Sequence, residues 1–567
     1  MELTGAQMIC ECLTREGVEY FFGIPGGATI PFYDILPQYP QLKHILVRHE
    51  QVAAHAADGY ARASGRVGVC CATSGPGATN LVTGIANAWL DSVPIVALTG
   101  EVVRGLIGRD GFQEADITGI TLPITKHNYL VLDAKDLPQI IREAFYIAAT
   151  GRPGPVLIDI PRDVFQQKAE FVYPEKVEMR GFRPLAEPDR EHIDKAAELI
   201  NESKQPLILA GHGVIISQAY KELRELAEKG NIPVITTLLG ISSFPGSHPL
   251  CLGMPGMHGM YWNNVAIGEA DLLIAIGMRF DDRVTGRLRD FAPNAKVIHI
   301  DIDPAEIGKN VRPTVPLQGD AKSILKKLNR KVESRHRDEW LARLEDLKRE
   351  HPSITIRDTD KLLPQYVIKT IYDASKGDCT VVTGVGQHQM WAAQFLWFDK
   401  PNSLFTAGGL GPMGFEVPAA IGVQIARPGE LVWSICGDGG FQMTLQDLIT
   451  VSVNNLPIKY AIINNSHLGM VRQWQTLFYQ DNLVATPLTN PDFVKIAEAY
   501  DILGIRVTDK YMVESAVYRA MEHPGPVVID FQVEEQENIF PMVPPGAALQ
   551  ETIDLPKSVE ERVVTPA

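Results

Sequence analysis

The chain has 567 residues, of which 45% are hydrophobic and 21% charged. That is an ordinary globular composition but too long for one core, so about two to four domains are expected. A net charge of −15 excludes a nucleic-acid binder that relies on a basic surface. The seven cysteines, scattered and without zinc-ligand spacing, read as reduced, mostly buried thiols of a cytosolic protein.

The first residues, MELTGAQMICECLTREGVEYFFGIPGG, predict an amphipathic helix ending near Gly17 and then a short strand. They lack a basic leader followed by an apolar core, so no signal or transit peptide is expected, and no apolar run is long enough to span a bilayer. Residues 48–62, RHEQVAAHAADGYAR, predict a helix with a face of small residues and one carboxylate, Glu50, at its start. Glu50 is either a charge favoured by the helix dipole or a proton-transfer group that the small residues keep dry by close packing.

Apolar runs alternate with helical stretches from there on. They are VGVCCAT (67–73), PIVALTG (94–100) and PVLIDIP (155–161), then PLILAG (206–211), IPVITT (232–237), DLLIAIG (271–277) and KVIHIDID (296–303). The last set is CTVVTGVG (379–386), LVWSICGDGG (431–440), IKYAIINN (458–465) and GPVVIDFQV (525–533). Continuous apolar strands separated by helices mean parallel sheets covered on both faces. Polar, proline-punctuated residues 166–190 and the highly charged stretch within 326–364 read as linkers, the second containing a surface helix. The expected fold is therefore α/β, with three domains at 1–165, 190–330 and 365–540, and a proline-rich tail, 541–567, folding over another surface.

Ligands of open parallel sheets sit at the carboxyl ends of the strands. Gly437-Asp438-Gly439-Gly440 follows one apolar run directly, and Asn464-Asn465 follows the next, with Asn465 27 residues after Asp438. Glycines let the backbone approach a phosphate at a helix start. Asp438 and Asn465 are hard oxygen ligands suited to Mg²⁺, which binds few carboxylates and takes further oxygens from phosphates. Either motif alone is as readily an ordinary turn; the pair at this spacing is specific. In the middle region the glycine turns with Arg279, Arg283 and Asp301 suit a dinucleotide, though taken in isolation they read more readily as a solvated, internally paired cluster.

GDG followed at this distance by NN resembles the thiamin diphosphate-dependent enzymes. Within them, the chain is similar to the acetohydroxyacid (acetolactate) synthases over nearly its whole length. Eleven segments fall in order: GIPGGATIPFYD, RHEQVAAHAADGYAR, TSGPGATN, FQEADITG, GRPGPVLIDIP, GMHG, RFDDRVTG, IHIDIDPAEIGKN, VGQHQMWAAQF, NNSHLGMVRQWQ and PMVPPGA. The resemblance implies a thiamin diphosphate-binding fold at both ends and a Rossmann-like FAD domain between them. It implies that Asp438, Asn465 and the His467 backbone carbonyl hold Mg²⁺. Thiamin diphosphate is then contacted by Pro25, Pro76, Asn80, Gly386, Gln387, His388, Gly411, Met413, Gly437, Gly439, Gly440, Gly469 and Met470, with Met413 propping the bent cofactor. FAD, without net redox, falls to Arg152, Gly211, Gly213, Thr237, Leu238, Gly256, Met257, His258, Gly277, Arg279, Asp281, Arg283, Asp301 and Asp320.

The activity implied is decarboxylation of pyruvate and transfer of the two-carbon unit to a second 2-ketoacid, pyruvate or 2-ketobutyrate, the first common step of branched-chain amino acid biosynthesis. Glu50 would share a proton with a cofactor held mainly by the other subunit, so a homodimer or homotetramer is expected, with a small regulatory subunit as a further partner. Gln113 would contact the reacting centre, Trp474 would shape the acceptor pocket and Lys126 would lie near its entrance. Taken alone, Met413 and Trp474 read as packing residues and the others as solvated side chains. The sequence departs from the family pattern at Gly440 (usually serine), Pro412 (threonine), Glu416 (glycine), Met260 (threonine) and Gly384 (an acid). Of these, Glu416 puts most in question, since it adds a charge near the cofactor. A pyruvate oxidase-like flavoenzyme and an inactive binding subunit are the competing readings. RQWQ, FQEAD and the MVPPGA tail argue against the first, and Glu50, Asp438 and Asn465 against the second.

Overall fold

The structure is a computed structural model and describes residues 1–179, 181 and 188–554. Three six-stranded sheets, all parallel, follow one another along the chain. In spatial order the first holds Lys43–Leu46, Tyr20–Gly23, Gly68–Ala72, Ile95–Glu101, Val156–Pro161 and His127–Leu130. The second holds Cys251–Gly253, Val234–Thr236, Pro206–Ala210, Leu272–Ile276, Lys296–Asp301 and Val315–Gln318. The third holds Leu404–Phe405, Thr380–Thr383, Val432–Gly437, Lys459–Asn464, Val527–Gln532 and Leu503–Val507. The inner strands are buried almost throughout, as strands covered on both faces must be. A short antiparallel pair, Glu2–Thr4 with Lys168–Glu170, ties the N-terminus to the end of the first unit.

The Glu50–Ser64 helix starts with the His49 ring accepting from the Gln51 amide at 3.1 Å and stops at Gly65, whose φ of 72° is left-handed. Ala63 is only partly buried, but Ala53, Ala54, Ala56 and Ala57 are fully buried. They pack against the Glu416–Ala426 helix of the third unit, with Gly59 on Ala419 and Gly422 on Ala56. As one residue number rises the other falls, so the two helices run antiparallel. No Cβ stands between the backbones at either contact, which lets the first and third units share one core. Glu50 itself stays half-buried.

The charged stretch contains the Asp338–Glu350 helix, which buries Trp340, Leu344 and Leu347 and turns its charges outward. The tail residues up to Asp554 pack onto the middle unit, where Val543 donates to the Met257 carbonyl and Arg287 to the Ala547 carbonyl. Residues 555–567 of the expected tail lie outside the described residues. All seven cysteines are buried and unpaired. Among the described residues no helix is long and apolar enough to cross a membrane.

Candidate active site

The third sheet places its chemistry at strand ends. The Val432–Gly437 strand runs directly into the Asp438–Thr444 helix, and the Lys459–Asn464 strand ends beside it. Between them and the start of the Gln387–Phe395 helix lies a narrow pocket. Its walls include Gly386, Gln387, His388, Met413, Gly437, Asp438, Gly439, Gly440, Asn465, His467, Gly469 and Met470. Asp438 is buried and accepts from Asn490 at 2.6 Å, and burial pushes its carboxyl up to about 6. Asn465 donates to Gln387 at 3.1 Å and accepts from the His467 amide at 3.2 Å. Asn464 turns away to Asp530, at 2.8 Å.

Two features of this pocket fit a bound diphosphate. The His388 ring is buried with its Nε2 atom unpartnered, and burial drives it down to about 3, so it is neutral. A Cβ on Gly437 would fall 2.8 Å from that ring, so only glycine leaves this approach open. Among the described residues no group of three or more His, Cys, Asp or Glu is placed to hold a metal. The donors here are of another kind: one carboxylate, one amide and a backbone carbonyl, a set that suits Mg²⁺ only when phosphate oxygens complete it.

A second cavity of about 880 Å³ shares Val385, Gly386, Met413, Met470 and Val471 with this pocket and extends to the strand ends of the middle sheet. Of the residues expected to hold a flavin, Arg152, Gly213, Thr237, Leu238, Met257, His258, Gly277, Arg279, Asp281, Arg283, Asp301 and Asp320 line it. Gly211 lies behind the wall against the Gly277 carbonyl, and Gly256 against that of Arg283. Three of the carboxylates already serve backbone amides: Asp281 and Asp320 cap helices, and Asp301 accepts from Asp303 at 2.8 Å. The Arg152 guanidinium is engaged by Glu306 at 2.8 Å and Asp303 at 3.2 Å. His258 is buried with Nδ1 unpartnered and pushed down to about 4. A long, partly apolar cavity with glycines at the strand ends and an unpartnered neutral histidine fits a dinucleotide. Gly411 and Trp474 line the same cavity, the indole Nε1 being buried without a partner.

The remaining site residues form a separate group. Glu50 accepts from Asn80 at 2.9 Å and lies beside Gly77. Gln113 has a positive φ of 61° and packs against Gly75, next to Pro76. Pro25 precedes Gly26, which lies against Thr73. None of these lines either cavity. The helix pair explains the separation. Glu50 starts one helix, Glu416 starts its antiparallel partner beside Arg62, and 12 residues of helix span about 18 Å.

Lys126, expected near the entrance, lines neither cavity but lies within reach of the charges of Arg152 and Asp303. Its Nζ donates to the carbonyls of Ile147 and Thr150, and burial lowers it to about 8. The sequence reading also missed Asn490, which binds both Asp438 and Asn464. It missed Gln473 too, which joins Gln387 to the Ile539 backbone just before the tail. An asparagine in a loop and a glutamine within a helix carry no local signal of such contacts.

Comparison with known proteins decides the family. Residues 3–120 match the N-terminal TPP binding domain of thiamine pyrophosphate enzymes, residues 193–328 their central domain and residues 384–531 their C-terminal TPP binding domain. The chain is 51% identical to the acetolactate synthase of Mycobacterium bovis over 563 residues, which is 97% of this chain and 91% of that protein. It is 51% identical to the acetolactate synthase large subunit of Corynebacterium glutamicum, covering 96% and 89%. It is 46% identical to the chloroplastic acetolactate synthase 1 of Oryza sativa subsp. japonica, covering 97% and 87%. The chain belongs to the acetolactate synthase family of thiamine pyrophosphate enzymes. Its two thiamine pyrophosphate-binding regions are those that carry Glu50 and Asp438.

Proposed function

We propose that the chain is the catalytic subunit of an acetolactate synthase that requires Mg²⁺ and FAD besides thiamin diphosphate and works as a homodimer or a larger assembly of such dimers. It takes pyruvate, releases CO₂ and joins the two-carbon unit to pyruvate or 2-ketobutyrate. One observation carries this reading. A pocket fit for a diphosphate opens past Met413 and Trp474 into a cavity fit for a dinucleotide, while the Glu50 group lines neither.

The residues divide the work accordingly. Gly386, Gln387, His388 and the Gly437–Gly440 turn would hold the diphosphate, and Asp438, Asn465 and the His467 carbonyl would hold Mg²⁺. When bound, thiamin diphosphate supplies the electron sink that lets a 2-ketoacid lose CO₂. Glu50 and Gln113 come from a second copy of the chain, Glu50 holding one proton at its carboxyl and Gln113 orienting the substrate. Met413, Met470 and Trp474 bound the acceptor space and keep water out of it. Support for the second copy lies on both surfaces that would meet. Phe112, directly before Gln113, and Leu122 nine residues beyond it are exposed in the single chain, as are Val471 and Tyr479 at the two ends of the segment that carries Trp474.

The test is a product assay with purified protein, Mg²⁺, thiamin diphosphate and FAD. Acetolactate from pyruvate, and acetohydroxybutyrate when 2-ketobutyrate is added, is the expected result. Acetaldehyde as the sole product beside CO₂ overturns the carboligase reading. Bleaching of the flavin by pyruvate at the rate of turnover replaces it with an oxidase.

A further inference from the structure

The mechanism leaves several buried acids unused, and among the described residues Glu416 is the one with both carboxyl oxygens buried and unpartnered. Glu416, at the first position of its helix, is fully buried, and neither carboxyl oxygen has a hydrogen-bond partner. The nearest donors, its own amide and that of Gly414, stabilise the charge only weakly, and burial dominates, holding the group up at about 7. The carboxyl lies where three segments of the diphosphate pocket converge. A Cβ on Gly384, at the strand end before Gly386, would come within 2.5 Å of the Glu416 Cδ and Oε2. A Cβ on Gly440, in the turn after Asp438, would come within 2.5 Å of Oε1. Gly414, with φ of +84°, completes the enclosure beside Met413, and its carbonyl accepts from Thr444 at 3.0 Å. The carboxyl therefore fills the volume that side chains at 384 and 440 would take, and both positions are glycine.

We propose that Glu416 is a positioning residue whose carboxyl group acts as a spacer. It sets the separation between the Gly384–Gly386 strand end and the Gly437–Gly440 turn, and with it the seat of the diphosphate and of Met413. The proposal rests on the reading of this pocket as the diphosphate site. It accounts together for three departures from the family pattern, at 384, 416 and 440. A side chain at 384 would project into the space that Glu416 enters from the facing helix, so positions 384 and 416 cannot both carry an acid without a shift.

The experiment is a double-mutant cycle on the full chain. Thiamin diphosphate affinity is read from quenching of intrinsic fluorescence, since Trp391 lines the pocket, and turnover is followed in parallel. Glu416→Gly leaves a hole and weakens cofactor binding about tenfold or more. Gly384→Asp puts two acids into one space and weakens it at least as much. Combining the two restores affinity to within about threefold of the unmodified protein, a strongly non-additive result. The loss appears in cofactor affinity and kcat, while KM for pyruvate at saturating cofactor is little changed. Glu416→Gln, which keeps the shape, retains most of the affinity and shows whether folding alone explains a failure of the glycine variant. Additive effects, or unaltered affinity in Glu416→Gly, overturn the proposal. If the unmodified protein fails to bind thiamin diphosphate, the reading of the pocket fails instead.

Discussion

Glu50 and Glu416 each open one of two helices packed against each other, yet they sit in opposite circumstances. Glu50 is half-buried and hydrogen-bonded to Asn80. Glu416 is sealed in, without a partner for either oxygen. A carboxylate left partly open at the surface of a single chain is one that the proposed second copy would cover. A carboxyl enclosed by its own chain already has its final surroundings. The comparison separates the half of the site that the proposed dimer would complete from the half that a single chain encloses.

The largest expected effect breaks the comparison at Glu50. Glu50→Gln should slow turnover by about 10²–10⁴-fold while leaving cofactor affinity and thermal stability near those of the unmodified protein. Proton exchange at the reactive carbon of the cofactor, followed by NMR, should slow in parallel, and unchanged exchange would remove Glu50 from the chemistry. Next comes complementation. Chains carrying Glu50→Gln and chains carrying Asp438→Ala should each be inactive, yet mixed dimers should regain activity, because one of their two sites receives both intact halves. Absence of recovery after co-refolding or co-expression would place Glu50 and Asp438 of one chain in one site.

A smaller effect sharpens the Glu416 side. Its folded-state value, about 7, lies above the ordinary carboxyl value of 4.5. The folded protein therefore binds the proton more tightly than the unfolded chain. Stability contributed by the neutral acid is complete below about pH 4.5 and is lost as pH rises to about 7. Cys436 and Tyr460, which feel the Glu416 charge, are held well above their usual ranges by burial and stay neutral throughout. Denaturant unfolding without cofactor should show stability falling across that window by roughly 1–3 kcal/mol more than in Glu416→Gln, since other raised carboxyls such as Asp438 contribute the same slope to both proteins. Last, Gly422→Ala should cost about 1–3 kcal/mol by wedging the helix pair apart, measured by the same unfolding experiment.

How far the sequence could be read follows the burial of each strand. The inner strands, among them Gly68–Ala72, Leu272–Ile276 and Lys459–Asn464, are covered on both faces and appear as unbroken apolar runs. The edge strands Lys43–Leu46, His127–Leu130, Cys251–Gly253, Val315–Gln318, Leu404–Phe405 and Leu503–Val507 went unread. Each is short or has an exposed side, as in His127–Leu130, where no residue is buried, so polar residues interrupt the pattern. The site divides in the same manner. Asp438 and Asn465 announce themselves because strand ends and glycine turns are local features. Asn490 depends on a contact across 52 residues, and the pairing of Glu416 with Gly384 across two elements, which no single window of sequence contains.

Where Gly59 meets Ala419 and Gly422 meets Ala56, main chain rests on main chain. Such a seam has no long side chain to yield, so the span from Glu50 to the far end of the pair is a spacer of fixed length. Two chains joined in a dimer would hold their two reaction chambers at one separation. A substitution that thickens the seam by a single methyl group would then loosen both chambers together, not one alone.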